Sequence, residues 1–387
     1  MTIDSHHETW SLKSKAFRRW LAQRFYQSAG TAPGAQALQD AVGVLEGRAL
    51  FGGPEHVVFT RVADYDGAVY LDLANDRWET VKITPLGWEV VGEPPVKFRR
   101  ARGMAPLPAP VRGGRIDEFR PFVNVASESD WVLCVAWLVG ALRPRGPYPI
   151  LALHGEHDSA KSTTARLLRA LIDPNTSPLR AAPREERDVM IAATNAWCLA
   201  FDNLSSLPSW LPDVFCRLST GGGLATRELY TDAEEVLFEA QRPVILNGIS
   251  EIATQSDLLD RMIMLELPAI DAEARRSEAE LWAEFEPCRP RILGVLADAI
   301  SAALLNFPGI TLRPLPRMAD FTLWTTAAEE AFGWARGTVL QAYTRSRETS
   351  NDLALEASLL TPAVRELVAD QEWQGMAMEL LPALNAL

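Results

Sequence analysis

The stretch from Pro149 to Ile172 constrains this chain more than any other. Pro149-Ile-Leu-Ala-Leu-His154 is a short apolar run suited to a buried strand. Gly155, Glu156, His157, Asp158, Ser159, Ala160, Lys161 and Ser162 follow as a loop, and from Thr163 onward Ala165, Leu168, Leu171 and Ile172 fall at helical spacing. Strand, loop and helix in that order are the context in which a glycine-led loop ending in Lys-Ser carries chemistry. Loop N–H groups and the helix N-terminus converge on phosphate oxygens, and a lysine at 161 neutralises the β and γ charges. A hydroxyl at Ser162 can serve Mg²⁺. The expectation is a triphosphate site, ATP with Mg²⁺, built from Gly155 through Thr163. Two positions depart from the ideal pattern. Ala160 stands where glycine is usual, which a helical backbone angle would tolerate. Asp158 puts a carboxylate in a loop that receives anions, and it repels them unless it points outward.

Three later segments complete the pattern. Trp197-Cys-Leu-Ala-Phe201-Asp202-Asn203 is an apolar strand ending in an acid. Strand ends of an open parallel sheet face the ligand crevice, so Asp202 is expected beside Ser162 as the second side chain holding Mg²⁺. Pro243-Val-Ile-Leu246-Asn247 is another buried strand, and Asn247 fits a sensor of the γ-phosphate or the attacking water. Asp257-Leu-Leu-Asp260-Arg261 precedes a last strand, Met262–Leu267. Arg261 is placed to act as an arginine finger on a neighbouring subunit's site; the plainer alternative is a local pair with Asp257 or Asp260. The expected catalytic set is therefore Lys161, Asp202, Asn203, Asn247 and Arg261.

Around this core the chain divides into an N-terminal α+β region (1–110), the α/β core (111–268) and an all-helical lid and tail (269–387). Phe17, Trp20, Leu21, Arg24 and Phe25 mark one helix, and Ala37, Leu38, Ala41, Val42 and Leu45 a second, parted by Gly30–Gly34. From His56 to Phe98 the period becomes two, giving a four-stranded antiparallel meander with turns at Asp66-Gly67, Asn75-Asp76 and Pro85-Leu86-Gly87. Arg99, Arg100 and Arg102, followed by Pro106, Pro108, Pro110 and Gly113-Gly114, read as a solvated linker whose cations could instead touch phosphates. Ile116–Leu142 reads as helical, and Pro290-Arg291 as the opening of a later helix with Arg291 a candidate lid contact.

At 387 residues the chain can bury several cores. Its net charge of −12 excludes a protein that coats nucleic acid through an overall basic field, though not one that touches DNA with a few loops. Cys134, Cys198, Cys216 and Cys288 are scattered without a CxxC pair, as expected of free thiols in a reducing cytoplasm. His154 and His157 lack a third ligand nearby in sequence and read as packing and surface residues. No uninterrupted apolar run is long enough to cross a bilayer, and Met1–Glu8 is polar, so neither a membrane partner nor a signal peptide is expected.

With Lys161, Asp202, Asn247 and Arg261 in that order, residues 151–268 resemble an AAA+ ATPase. More narrowly, Phe201-Asp-Asn-Leu-Ser205, Ser219-Thr-Gly-Gly-Gly223, Ala225-Thr-Arg-Glu-Leu-Tyr230, Arg242-Pro-Val-Ile-Leu-Asn-Gly248 and Asp257-Leu-Leu-Asp-Arg261 resemble the helicase-like ATPases of phage, plasmid and genomic-island replication modules. These are related to primase-associated superfamily 3 and poxvirus-type helicases. The resemblance extends over about 15–345. It implies a P-loop AAA+-type sheet, a homo-oligomeric ring (a hexamer) with ATP between subunits, single-stranded DNA through the centre, and a primase or other replication protein as a further partner. It also implies a pore-facing hairpin within about 219–242. There Arg227 contacts DNA phosphates or pairs with Glu228 or Glu234, and Tyr230 stacks on a base.

One departure bears on mechanism. Such ATPases usually carry a second acid after the strand-final aspartate, and Asn203 stands there instead. An amide orients a water but cannot take its proton, so another acid serves or turnover is slow. The tail from Glu372 to Leu384 resembles the start of a helical DNA-binding module. The readings left open are a DNA motor, a nucleotide-controlled assembly switch of regulatory or defence type, and a degenerate structural subunit.

Overall fold

Local sequence sets each element of the N-terminal region in the computed structural model, which describes residues 2–3, 6–204, 207–227, 235–248, 256–357, 361–369 and 372–384. Ser14 caps α1 (Lys15–Ala29), its hydroxyl accepting from the Phe17 N–H at 3.1 Å, and Gly30 ends the helix in the left-handed conformation. α2 (Ala35–Gly52) packs against it, with Phe17 and Val42 the buried residues of the two. The meander follows as expected: β1 (Val62–Tyr65), β2 (Ala68–Asp72), β3 (Thr80–Thr84) and β4 (Gly87–Val91) pair antiparallel in sequence order. Asp66 and Gly67 both adopt positive φ in the tight first turn.

The Pro/Gly-rich stretch that follows is packed, which corrects the reading of a solvated linker. Arg100 donates twice to the buried Asp72 carboxylate, at 2.7 and 3.0 Å, and stacks on Trp78 at 3.8 Å. Leu107 is buried and its N–H reaches the Leu73 carbonyl at 2.8 Å. The polar and apolar partners of this strap are supplied by distant segments, which no local pattern announces.

The core is built on a parallel sheet. Two 3₁₀ turns at Ile116–Glu118 and Arg120–Phe122, rather than one continuous helix, lead to α3 (Glu128–Ala141), capped by Ser127. Then come β5 (Ile150–His154), α4 (Lys161–Ile172), α5 (Glu186–Asn195), β6 (Leu199–Phe201), α6 (Leu211–Thr220), a hairpin of β7 (Gly223–Arg227) and β8 (Glu235–Glu239), β9 (Val244–Asn247), α7 (Ser256–Leu259) and β10 (Met262–Glu266). The sheet runs β6–β9–β5–β10, every pair parallel. Ile150–Leu153 and Val244–Asn247 are buried throughout, as strands covered on both faces must be. Alternate side chains divide between two cores. Leu151, Leu153, Ile245 and Ile263 join a cluster with α3, α4 and the meander, while Ile150, Ala152, Val244 and Leu246 join one with α5 and α6. The fold is thus α/β, a parallel sheet flanked by helices.

The remainder is helical: α8 (Glu278–Asn306), α9 (Ala319–Ala327), α10 (Thr338–Ala357), α11 (Thr361–Leu367) and α12 (Ala377–Leu384). α8 starts twelve residues before the opening expected at Pro290, at a Ser277/Glu280 capping box, and carries Pro287 and Pro290 inside it. Glu278–Gly309 is long and apolar enough by composition to cross a membrane, but 56% of its most apolar window is buried inside the protein. Trp88 Nε1 donates to Asp298 at 2.8 Å and Ser301 Oγ to the Thr84 carbonyl at 2.7 Å, tying α8 to the meander.

Candidate functional site

The carboxyl ends of three neighbouring strands define the site. Register pairs Phe201 with Leu246 and Asn247 with Leu153, so Asp202, Asn247 and the loop after His154 emerge side by side. Between them lies a cavity of about 700 Å³. Residues 155–163 form one wall, and Asp202, Asn203, Asn247 and Gly248 the other. Of the expected nucleotide-site and catalytic residues, all but Arg261 line it.

The loop is held by close contacts. Gly155 has φ +154°, and a Cβ there would lie 2.2 Å from the Leu267 carbonyl oxygen, so only glycine fits. Lys161 Nζ donates to the carbonyls of Gly155 (2.8 Å) and Glu156 (2.5 Å) and to the Ser159 hydroxyl (3.0 Å). Ser159 Oγ in turn donates to the Glu156 carbonyl at 2.8 Å. Lys161 is the first residue of α4, whose free N–H groups face the cavity side of the loop.

Ala160 does not meet the condition under which its methyl group was expected to be tolerated. Its φ of +61° is left-handed, where a Cβ crowds the backbone. Asp158 also has positive φ, and its carboxylate meets Arg275 Nη2 at 3.0 Å, so its charge is directed to an arginine beyond the loop. His157 lines the cavity wall beside it.

Across the cavity three side chains form one group. Ser162 Oγ donates to Asp202 Oδ1 at 2.9 Å, Asn247 Nδ2 donates to Ser162 Oγ at 3.0 Å, and the same amide donates to Asp202 Oδ1. A hydroxyl and a carboxylate oxygen are thus fixed in contact on the wall of the cavity. This donor set suits a hard divalent cation that keeps its other ligands as phosphate oxygens and water. Asn203 follows with φ +54°, packed against Gly248.

Arg261 lies elsewhere. Its carbonyl accepts from Ile150 N–H at 2.9 Å, at the end of β5 opposite the loop. Its guanidinium donates to the Asp257 carboxylate and to the Asp257 carbonyl at 2.7 Å. That hydrogen bond holds the Asp257 carboxyl below its ordinary range. Within one chain the local pair is what forms. Arg291 is likewise engaged away from the cavity, with Glu118 at 2.7 Å. The hairpin expected between 219 and 242 is present, with Arg227 opposite Glu235 in register. Tyr230 lies outside the described residues.

Three contributors carried no local signal. Asn124 Nδ2 donates to the Pro268 carbonyl at 2.6 Å, bracing the strand end behind Gly155. Arg180 extends the sheet edge, its N–H on the Ala200 carbonyl (2.9 Å) and its carbonyl accepting from Asp202 N–H (2.8 Å). Arg275 is a third, found only through its partner Asp158.

Residues 116–353, more than half the chain, match the family described as Actinomycete integrative conjugative element replication protein. The chain belongs to that family. The match spans every residue of the cavity, and it makes DNA replication of a mobile element the setting in which this replication protein acts. No curated protein matches the chain. Among solved structures, the A form apo structure of the NrS-1 C terminal region is similar over 91% of this chain and 70% of that chain, at 12% identity and a TM-score of 0.43. The apo structure of the same region gives 12% identity over 91% and 70%, with a TM-score of 0.41. The family assignment rests on the sequence match alone.

Proposed function

We propose that this replication protein is an ATP-binding and ATP-hydrolysing ring ATPase with a P-loop AAA+-type core, related to superfamily 3 helicases, which drives DNA unwinding or translocation during replication of the element. The observation that carries the proposal is the meeting of Lys161, Ser162, Asp202 and Asn247 on one cavity at the carboxyl ends of a parallel sheet.

On this reading the helix N-terminus and Lys161 bind the phosphate chain, the ammonium exchanging its loop carbonyl partners for phosphate oxygens. Ser162 and Asp202 would hold Mg²⁺, which would neutralise charge on the phosphate oxygens. Asn247 keeps the serine and the aspartate in register. Asn203 orients a water, and Glu156 is the cavity carboxylate left to receive its proton, since Asp158 is paired with Arg275. Arg261 acts in trans in a homo-oligomer, a hexamer in this proposal, with single-stranded DNA in the pore against Arg227 and Tyr230. A primase or another replication protein is the further partner.

The test is ATP binding and turnover with Mg²⁺, with and without a single-stranded oligonucleotide. Wild type is expected to turn over ATP faster with DNA, and Lys161→Ala to lose turnover by at least about a hundredfold, as loss of a principal phosphate-charge contact requires. Turnover indifferent to DNA sinks the motor; absence of ATP binding sinks the whole reading. A second reading, a nucleotide-dependent assembly switch with slow hydrolysis, is favoured by Asn203 together with the loop departures at Ala160 and Asp158. ATP-dependent growth in particle mass with negligible turnover decides for it.

A further inference from the structure

We infer that the outward face of α1 is a DNA-docking surface, one that grips phosphates apart from the nucleotide cavity; this rests on the role in DNA replication rather than on the ATPase reading. The helix Lys15-Ala-Phe-Arg-Arg-Trp-Leu-Ala-Gln-Arg-Phe-Tyr-Gln-Ser-Ala29 contains four cations and no acid, in a chain whose net charge is −12. At 3.6 residues per turn, Lys15, Arg18, Arg19 and Tyr26 fall on one stripe, while Phe17, Trp20 and Leu21 fall on the other side. The structure agrees. Phe17 is buried and Trp20 and Leu21 are half-buried, whereas Lys15, Arg18, Arg19 and Tyr26 are exposed. Among the described residues none of those three cations forms an ion pair; the nearby Lys13 is the one that meets an acid, Glu46, at 3.3 Å. Arg24 lies over Trp20 at 5.6 Å.

A cationic face without counter-charges, on an otherwise acidic molecule, is where a polyanion docks. The side chains distinguish which polyanion. A membrane-surface helix puts large apolar residues into the acyl layer opposite its cations. Here Phe17, Trp20 and Leu21 turn away from the cationic stripe; of the two exposed aromatic residues in the last turns, Tyr26 stands among the cations, suited to stacking on a base, and Phe25 lies at the edge of the stripe beside Arg18. The cations gathered on one stripe set positive charge against the backbone of a strand laid along the helix, so the ligand class is nucleic acid bound through its phosphates, without sequence preference.

The experiment uses the full chain, without nucleotide, so that it stands apart from the ATPase test. Binding of a fluorescent 30-nucleotide single strand is followed by anisotropy across a salt series, for wild type and for the triple variant Lys15→Gln, Arg18→Gln, Arg19→Gln. Losing three phosphate contacts lowers the slope of log affinity on log salt by about two, and affinity falls at least about tenfold near 0.1 M salt. Tyr26→Ala weakens binding with the slope unchanged. An unaltered affinity and slope in a triple variant that melts like wild type overturns the proposal. So does co-sedimentation of wild type, but not the variant, with vesicles of 30% phosphatidylserine while DNA binding stays equal. Absence of ATP turnover defeats the previous section and leaves this measurement standing.

Discussion

Ala160 carries a cost that its neighbours do not relieve. A left-handed alanine is disfavoured by about 1–2 kcal/mol, and glycine regains part of that against its own chain entropy of about 0.5–1 kcal/mol. Ala160→Gly is therefore expected to raise stability by about 0.5–1 kcal/mol, read as a higher thermal midpoint; a lower midpoint contradicts the backbone argument. Asp130 gives a pH-dependent counterpart. Burial raises its carboxyl pKa, against hydrogen bonds from Ser127 and the Glu266 N–H, and the Glu266 charge adds to the rise. The folded state thus holds that proton more tightly than the unfolded chain. The resulting stability is full below the ordinary carboxylate value, about 4, and is lost as pH rises through the raised value. Asp130→Asn removes this dependence: it should be more stable than wild type at neutral pH, with the difference closing as the solution is acidified to pH 4. A difference that is flat with pH in denaturant titrations counts against it.

Between elements, one buried ion network does the joining. Arg61, completely buried, donates from Nε to Asp173 at 3.0 Å and reaches the carbonyls of Asp72 and Ala105. Asp173 also accepts from the N–H groups of Trp197 and Cys198 at 2.9 and 3.1 Å, so one carboxylate ties the meander, the end of α4 and the approach to β6. Asp173→Asn keeps the shape but leaves Arg61, and Arg169 whose guanidinium lies 3.7 Å from the same carboxylate, as buried charges short of a counter-charge, at a cost of about 3–5 kcal/mol in urea unfolding. A loss under 1 kcal/mol would mean that the carbonyls alone satisfy the guanidinium groups. Such joints mark the boundary of what the sequence discloses. The strands, the meander and the loop were legible because apolar period, turn residues and strand-final polar residues are local signals. The strap and the Asp158–Arg275 pair were not, since they depend on partners far along the chain, 117 residues apart in the last case; the early start of α8 did carry a local signal, the Ser277/Glu280 box, but Pro287 and Pro290 inside the helix read as breaks. Ala160 was not legible either, because its left-handed φ runs against alanine's own preference.

On the scale of the whole molecule, Arg261 and the cavity occupy opposite ends of β5, a strand of five residues that spans about 15 Å. On the proposed reading, an arginine so placed reaches a site only on another copy of the chain. Mixing Arg261→Ala with Lys161→Ala, each inactive alone, should restore part of the turnover, because a subunit with an intact loop then meets a neighbour with an intact arginine. No recovery at any mixing ratio removes Arg261 from the shared site.

The strap beyond Leu107 has a mechanical corollary. A Cβ on Gly114 would fall 2.3 Å from the Arg291 carbonyl oxygen, and one on Gly294 2.0 Å from that of Val111, with Val111 N–H bonded to the Pro290 carbonyl at 2.8 Å. Main chain rests on main chain there, as a belt rests in the groove of a pulley, with no side chain between to act as a cushion. A tether seated in that way leaves room for hydrogen and nothing larger, so a side chain at Gly114 or Gly294 would lift the strap from the middle turns of α8.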